Sequence, residues 1–424
     1  MLGALFERIE GERDALVDLT RALVQIPTVN PPGDAYQACA HHLDSRLSRA
    51  GFEVSCLRAE GAPGDSDRYP RINLVARYEG RGPGPCVHFN GHVDVVAAGH
   101  GWTVNPFAGV VRDGRLCGRG ACDMKGGLAA AIVAVESIIE AGIRFPGALE
   151  ISATVDEESG GHAGVAWLAE RGWFSKPRVD HVIIPEPLNV DRICIGHRGV
   201  WWAEIETHGR AAHGSMPFLG DCAIRHMGAF LTRLERQLLP RLATRQTAMP
   251  VVPSQARQST LNIAALHGGL PECPKGLPSP LVADRCRMLI DRRFLLEEDL
   301  ADVKAEVVAI LEQLHRDRPN FAYGIRDVME VMPTMTPRDA PVVRAVAHGI
   351  RRVLGKAPQL VASPGTYDQK HVQRVGKLES CIAYGPGILE VAHQPDEYVL
   401  IDDLVASAKV MATAALHLLG VKAE

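Results

Sequence analysis

With 424 residues the chain is too long for one ordinary core, and the usual ~100–200 residues per domain points to two domains. A composition of 46% hydrophobic and 23% charged residues is that of a globular protein, and a formal net charge of −4 gives no reason to expect a nucleic-acid partner. No apolar run reaches bilayer length, the start lacks a secretory pattern, and the 10 cysteines contain no Cys-x-x-Cys pair, so a cytoplasmic protein with reduced thiols and no membrane partner is expected.

Helical periodicity runs over residues 5–23 and a strand pattern over 72–78. The apolar stretch Cys86-Val87-His88-Phe89-Asn90 then leads into Gly91-His92-Val93-Asp94. His92 and Asp94 therefore fall where a buried strand ends and its loop opens, which is where α/β enzymes keep their chemistry. An imidazole at His92 can ligate a divalent metal, and Asp94 is suited to the ring's other nitrogen. Asp123 follows in Gly118-Arg119-Gly120-Ala121-Cys122-Asp123, just before an Ala-rich helical stretch over 125–141. Cys122 beside it reads as a small packing residue. A strand pattern at 151–155 runs into Asp156-Glu157-Glu158-Ser159-Gly160-Gly161. Adjacent side chains cannot share one role, so one of the two glutamates can hold metal while the other stays free to carry protons. A third strand end delivers Glu186, with a further helical stretch at 165–171 between the two.

Alternation of this kind predicts an α/β fold with a mostly parallel sheet flanked by helices. Between 198 and 330 the character changes: strands at 200–207, 260–266 and 285–292 and helices at 222–239 and 297–314 fit an inserted α+β module. Its Pro- and Gly-rich stretch 268–280 reads as an internal loop. Patterns at 340–354, 378–384 and 402–419 return to the first type, so the first domain is split into 1–197 and 331–424. His393 in the second part completes two histidines and three carboxylates, a mixed nitrogen and oxygen set suited to zinc, manganese or cobalt and not to a thiolate zinc. His88, His162, His197, His208, His226 and His267 match no signature and read as structural.

Taken in order, residues 91–94, 102–107, 118–127, 156–161, 209–217, 291–292 and 392–398 resemble the M20-type metal-dependent amidohydrolases and peptidases. That family is grouped around acetylornithine deacetylase, succinyl-diaminopimelate desuccinylase, aminoacylase and glutamate carboxypeptidase. The resemblance implies a di-metal exopeptidase-like catalytic domain with an inserted lid and dimerisation domain. It also implies two divalent ions per chain, zinc first with manganese or cobalt as alternatives. His92 and Glu186 resemble the ligands of one metal, Glu158 and His393 those of the other, Asp123 the bridging carboxylate, Glu157 the general base and Asp94 the partner of His92. His213 resembles the histidine that reaches across a homodimer interface to stabilise an oxyanion, and Arg292 the arginine that holds a substrate carboxylate. Gly365, Thr366 and Lys370 occupy the family's substrate loop, where Tyr367 and His371 join Lys370 as specificity candidates.

One departure bears on the substrate. Many deacylases of the family carry Asn-x-x-Pro where this chain has Pro280-Leu281-Val282-Ala283, so the acetylornithine and succinyl-diaminopimelate activities do not transfer directly. The expected reaction is hydrolysis of the amide bond of an N-acyl amino acid or similar small carboxylate-bearing molecule, Glu186 in place of aspartate favouring a deacylase. Carboxypeptidase or dipeptidase action, or hydrolysis of another carbon–nitrogen bond such as an N-carbamoyl group or aryl amine, stands as the alternative. A binding protein that had merely kept the fold would have lost these ligands.

Overall fold

A computed structural model describes residues 1–270 and 281–422; most of the expected loop at 268–280 lies outside the described residues. The chain divides into two compact units, one of Met1–Gly196, Thr336–Val361 and Tyr367–Glu424, the other of His197–Met335 and Ala362–Thr366. Residues 362–366, expected with the catalytic part, belong instead to the second unit. There the Arg198 guanidinium donates twice to the Pro364 carbonyl at 3.2 Å, and Ala362 pairs with Val251.

In the first unit seven strands matter for function: β1 (Glu53–Arg58), β2 (Ile72–Glu79), β3 (Cys86–His92), β4 (Ala148–Thr154), β5 (His181–Pro187), β6 (Arg192–His197) and β7 (Cys381–Gly385). Their order across the sheet is β1-β2-β4-β3-β5-β7-β6. The pairs β4/β3, β3/β5 and β5/β7 are parallel. The pairs β1/β2, β2/β4 and β7/β6 are antiparallel. The sheet is thus mixed, with a parallel centre and antiparallel flanks. β3 and β4 are buried along their whole length, as a parallel core covered on both faces requires. The helix Gly126–Glu140 packs on this centre, and its start shows why glycine stands there. A Cβ at Gly127 would lie 1.9 Å from the Pro185 carbonyl oxygen, so only glycine lets the helix approach β5 that closely. The same close approach brings the loop carrying Asp123 beside Glu186.

The second unit holds a four-stranded antiparallel sheet ordered Thr260–Gly268, Arg285–Phe294, Gly199–His208, Ala322–Val331. Strand alternation puts Trp201, Ala203, Ile205, Met288, Ile290 and Phe294 on one face. They pack against Met227 and Phe230 of helix Ala223–Arg233 and Val307, Leu311 and Leu314 of helix Leu300–Asp317. Among the described residues no helix is long and apolar enough to cross a membrane, and the described cysteines are free thiols.

Candidate active site

Because β3, β4 and β5 are parallel neighbours, their carboxyl ends open along one edge of the sheet. His92 closes β3 opposite Thr154 at the end of β4, the Asp156–Glu158 turn follows β4, and Glu186 sits near the end of β5. The loop before helix Gly126–Glu140 adds Asp123. His393 arrives from the loop after β7 in a left-handed conformation, φ 63°, uncommon for a residue with a side chain.

These side chains form two groups that share Asp123: His92, Asp123 and Glu186, and Asp123, Glu158 and His393, with the ligand atoms of each group within 4.8 Å of one another. His92 Nε2 lies 3.1 Å from Asp123 Oδ1 and 3.9 Å from Glu186 Oε1. His393 Nε2 lies 3.4 Å from Asp123 Oδ2 and 3.0 Å from Glu158 Oε1. Glu157 belongs to neither group. Its Oε1 accepts from Lys370 Nζ at 3.1 Å.

The electrostatics fit a pair of divalent cations. Burial, reinforced by the Asp123 charge, pushes Glu158 up to about 7 and Glu186 well above the usual carboxylate range. Burial also acts on Asp123, yet His393 and His92 hold it well below that range. Hydrogen bonds to Asp123 and Glu158 raise His393 to about 10. Buried acids held together by protonated imidazoles are what cations would relieve by taking the protons' place. Cys122 is not part of this set: burial raises its thiol well above the ordinary value, and its Sγ donates to the Ile388 carbonyl.

The supporting residues were only partly foreseen. The His92 Nδ1–H donates to the main-chain carbonyl of Asp94 at 3.0 Å, whereas the Asp94 carboxylate, 3.6 Å from that nitrogen, accepts the backbone N–H groups of Glu157 and Glu158. Asn30, which no motif marks, donates to the same carboxylate and to Ser159 Oγ. Glu397 was also missed as an individual residue. Fully buried, it accepts from Arg119 Nη1 at 2.5 Å and from the backbone N–H groups of Gly120, Cys122 and Asp123, so it folds the loop that presents Asp123. The only sequence signal was that Arg119 and Glu397 both lie within matched segments.

The remaining candidates are distributed differently from expectation. Lys370, read as a substrate contact, is 4% exposed and engaged with Glu157. The other specificity candidates are committed too: Tyr367 is buried and bonds to Gln369, and His371 Nε2 bonds to the Gly160 carbonyl. Arg292, expected to meet a substrate carboxylate, lies on the helix-covered face of the second unit with no exposed surface. Its guanidinium is spent on Glu298, Ser259 and the Arg293 carbonyl. Strand alternation turns Arg293 to the opposite face, where it pairs with Asp291 at 2.7 Å. Gly365 and Thr366 belong to the second unit and are partly exposed. His213, also in the second unit, is exposed, and its Nδ1 accepts from the backbone N–H of Ser215, which leaves Nε2 as the N–H donor.

Comparison with known proteins finds relatives along most of the chain. The model of peptidase family M20/M25/M40 matches residues 88–417. The chain is 31% identical to acetylornithine deacetylase of Myxococcus xanthus over 89% of this chain and 91% of that one. It is 31% identical to succinyl-diaminopimelate desuccinylase of Stenotrophomonas maltophilia (strain K279a) over 92% and 96%. In fold it is similar to the di-peptidase Dug1p of Saccharomyces cerevisiae, with a TM-score of 0.81 at 17% identity, covering 100% of this chain and 99% of that structure.

Proposed function

This chain belongs to peptidase family M20/M25/M40, a family of hydrolases, and from that premise we propose that it is a two-metal amide hydrolase acting on an N-acyl amino acid or a similar small carboxylate-bearing substrate. The observation that carries the proposal is the separation of the adjacent glutamates: Glu158 joins a group that could hold a metal ion and Glu157 does not. His92, Glu186, Asp123, Glu158 and His393 would hold the two ions, zinc first, with manganese or cobalt as alternatives. When bound, such ions supply Lewis acidity to water and to the substrate carbonyl. Glu157 accepts the proton of the attacking water on a carboxylate oxygen and returns it to the leaving amine. The His213 Nε2–H, contributed by a second copy of the chain, donates to the developing oxyanion.

Two further features support this reading. Met216, Phe218, Leu219, Ile224, Leu266 and Leu281 are exposed on the second unit, and Leu281 is bridged to His213. An exposed apolar group of this kind around a functional histidine suits a homodimer contact. With Arg292 buried and bonded to Glu298, Arg293 is the arginine assigned in this reading to a substrate carboxylate, with Gly365 and Thr366 as main-chain contacts. The deacylase names of the relatives, acetylornithine deacetylase and succinyl-diaminopimelate desuccinylase, favour N-acyl substrates over peptides.

The test is a screen of zinc- and manganese-loaded protein against N-acetyl, N-succinyl and N-formyl amino acids beside a dipeptide panel and N-carbamoyl amino acids. Turnover concentrated on the acyl amino acids is expected. Turnover of dipeptides alone would replace the deacylase reading with a dipeptidase, and turnover of N-carbamoyl compounds alone would move the reaction to another carbon–nitrogen bond.

A further inference from the structure

One face of the central strands is polar where a buried sheet is ordinarily apolar. In the β3/β4 register, His88 stands opposite Glu150, Asn90 opposite Ser152, and His92 opposite Thr154. His88, Asn90, Glu150, Ser152 and Thr154 have no exposed surface at all. The alternate positions Val87, Phe89, Leu149 and Ile151 carry the apolar core. A polar side chain in such a place is costly unless its hydrogen bonds are made. Here the bonds of Asn90 and Ser152 are made and run in one direction, and His88 meets Glu150 as an ion pair.

The direction follows from the end of the chain. A carboxylate only accepts, so Asn90 presents its Nδ2–H to Asp368 Oδ2, 3.1 Å away, and turns Oδ1 toward Ser152. Ser152 Oγ donates to that oxygen at 2.7 Å, which uses its single proton, so it accepts from His88 Nε2 at 2.7 Å. His88 Nδ1 lies 2.8 Å from Glu150 Oε1, and Glu150 is held in turn by Arg178 at 2.5 Å and Arg77 at 3.3 Å. The far end is Asp368, beside Lys370. Burial opposes the charge on Lys370, but Glu157 and Asp368 together keep its ammonium above its ordinary value.

We propose that Asn90 is a positioning residue for the hydrolytic reaction: anchored through Ser152 and His88 to Glu150, it fixes Asp368, which stands at the start of helix Gln369–Arg374 and accepts the His371 N–H on its main-chain carbonyl at 3.0 Å, so that Lys370 on that helix is held against Glu157 and sets where the Glu157 carboxylate stands. Lys370 is then a partner of the proton carrier, which explains why a lysine in the substrate loop is almost wholly buried. Asn90 and Ser152 at the middle of the ladder are each bonded on two sides, and support of this kind places a reacting group to within the ångström that rate requires.

The inference rests on the role given to Glu157, and its test separates the two. Crystal structures of the wild-type protein and Asn90→Leu give a readout that needs no substrate: the Lys370 Nζ to Glu157 distance should open beyond hydrogen-bonding range, with two metal ions per chain retained on elemental analysis. With whichever N-acyl amino acid the wild type turns over, kcat should fall on the order of 10- to 100-fold, with KM within about twofold. Asn90→Leu added to Lys370→Met should then cost less than about twofold more than Lys370→Met alone, since residues acting through one another do not add. If Asn90→Leu does not fold, Ser152→Ala removes the donor to Asn90 with minimal change of volume and is read in the same way. Lys370 unmoved in the folded variant, or losses that multiply in the double variant, would overturn the proposal. A wild type inactive on every acyl amino acid would refute the deacylase reading while leaving the Lys370–Glu157 distance to decide this one.

Discussion

His92 and Asp94 are joined main chain to ring: the Nδ1–H of His92 bonds to the Asp94 carbonyl oxygen, and the Asp94 carboxylate is left to gather the N–H groups of Glu157 and Glu158. One residue thereby fixes the tautomer of a ligand on β3 with its backbone and the turn after β4 with its side chain. Asp94→Ala should keep the first function and lose the second. Metal affinity is expected to fall roughly 10- to 100-fold, the usual effect of losing a group that orients ligands. Asp94→Asn, which retains an acceptor, should lose less. Competitive titration with a zinc chelator measures both, and equal losses in the two variants would show that charge, not the turn, is what Asp94 supplies.

Glu157 and Glu158 should separate cleanly on substitution. Glu157→Gln is expected to retain two metal ions per chain and lose on the order of 100- to 10,000-fold in kcat, the range of general acid–base contributions. Glu158→Gln should lose metal first. Elemental analysis with steady-state kinetics decides it, and a metal-free Glu157→Gln would mean that the two roles are exchanged.

Much of this site was legible because its candidate ligands sit at strand ends inside short motifs, where residue type and position carry the chemistry: His92, Asp123, Glu186 and His393 could be named from local context, while the choice of Glu158 over Glu157 came only from the family resemblance. What was not legible depended on tertiary geometry. The Asp-Arg-Arg sequence at 291–293 does not say which arginine faces the helices, and strand parity turned Arg292 inward. Asn30 lies far from any motif. The strand Ala322–Val331 escaped notice because most of its residues are exposed or partly exposed, which leaves no apolar alternation to read. Residues 362–366 join the second unit through the Arg198 guanidinium, a contact that no periodicity encodes. The antiparallel flanks of the main sheet were hidden for a related reason, since buried strands look alike whichever way their neighbours run.

Arg119 and Glu397 are a buried ion pair, 2% and 0% exposed, whose acid also folds the Asp123 loop. Glu397→Gln leaves the arginine charge without its partner, so unfolding in urea with metal removed should show a loss of about 3–5 kcal/mol. Removing the stranded charge as well, in Arg119→Met/Glu397→Gln, should recover part of that stability. The double variant should still bind metal weakly, because the Gly120, Cys122 and Asp123 N–H groups keep only a neutral acceptor. Full metal affinity in the double variant would mean that the loop holds its shape without the Glu397 charge.

His213 completes the proposal only if two chains cooperate. Glu157→Gln and His213→Ala homodimers should each be nearly inactive, and mixing them under conditions of subunit exchange should restore activity toward about a quarter of wild type, since half the dimers are hybrids and each hybrid has one intact site. Mass spectrometry of isotopically distinguished chains establishes exchange. No recovery despite proven exchange would place the action of His213 within its own chain or remove it from catalysis.

Metal binding should expel protons, and the sign is fixed by the groups that bind. Without metal, hydrogen bonds donated to Asp123 and Glu158 keep His393 protonated up to about 10. Burial works against the charge on His92, but Asp123, Glu186 and Asp94 still raise it well above the ordinary value. Burial keeps Glu158 protonated up to about 7. A cation binds the deprotonated forms and must displace those protons, so affinity rises with pH and falls as pH drops below the Glu158 value. Each proton released per ion adds about one power of ten in affinity per pH unit, and at least one per ion is expected. Titration calorimetry in buffers of different ionisation enthalpy counts them directly. A binding enthalpy independent of the buffer, with affinity flat across that range, would show that the histidines and Glu158 are already deprotonated, and that some other cation or water network balances the buried acids.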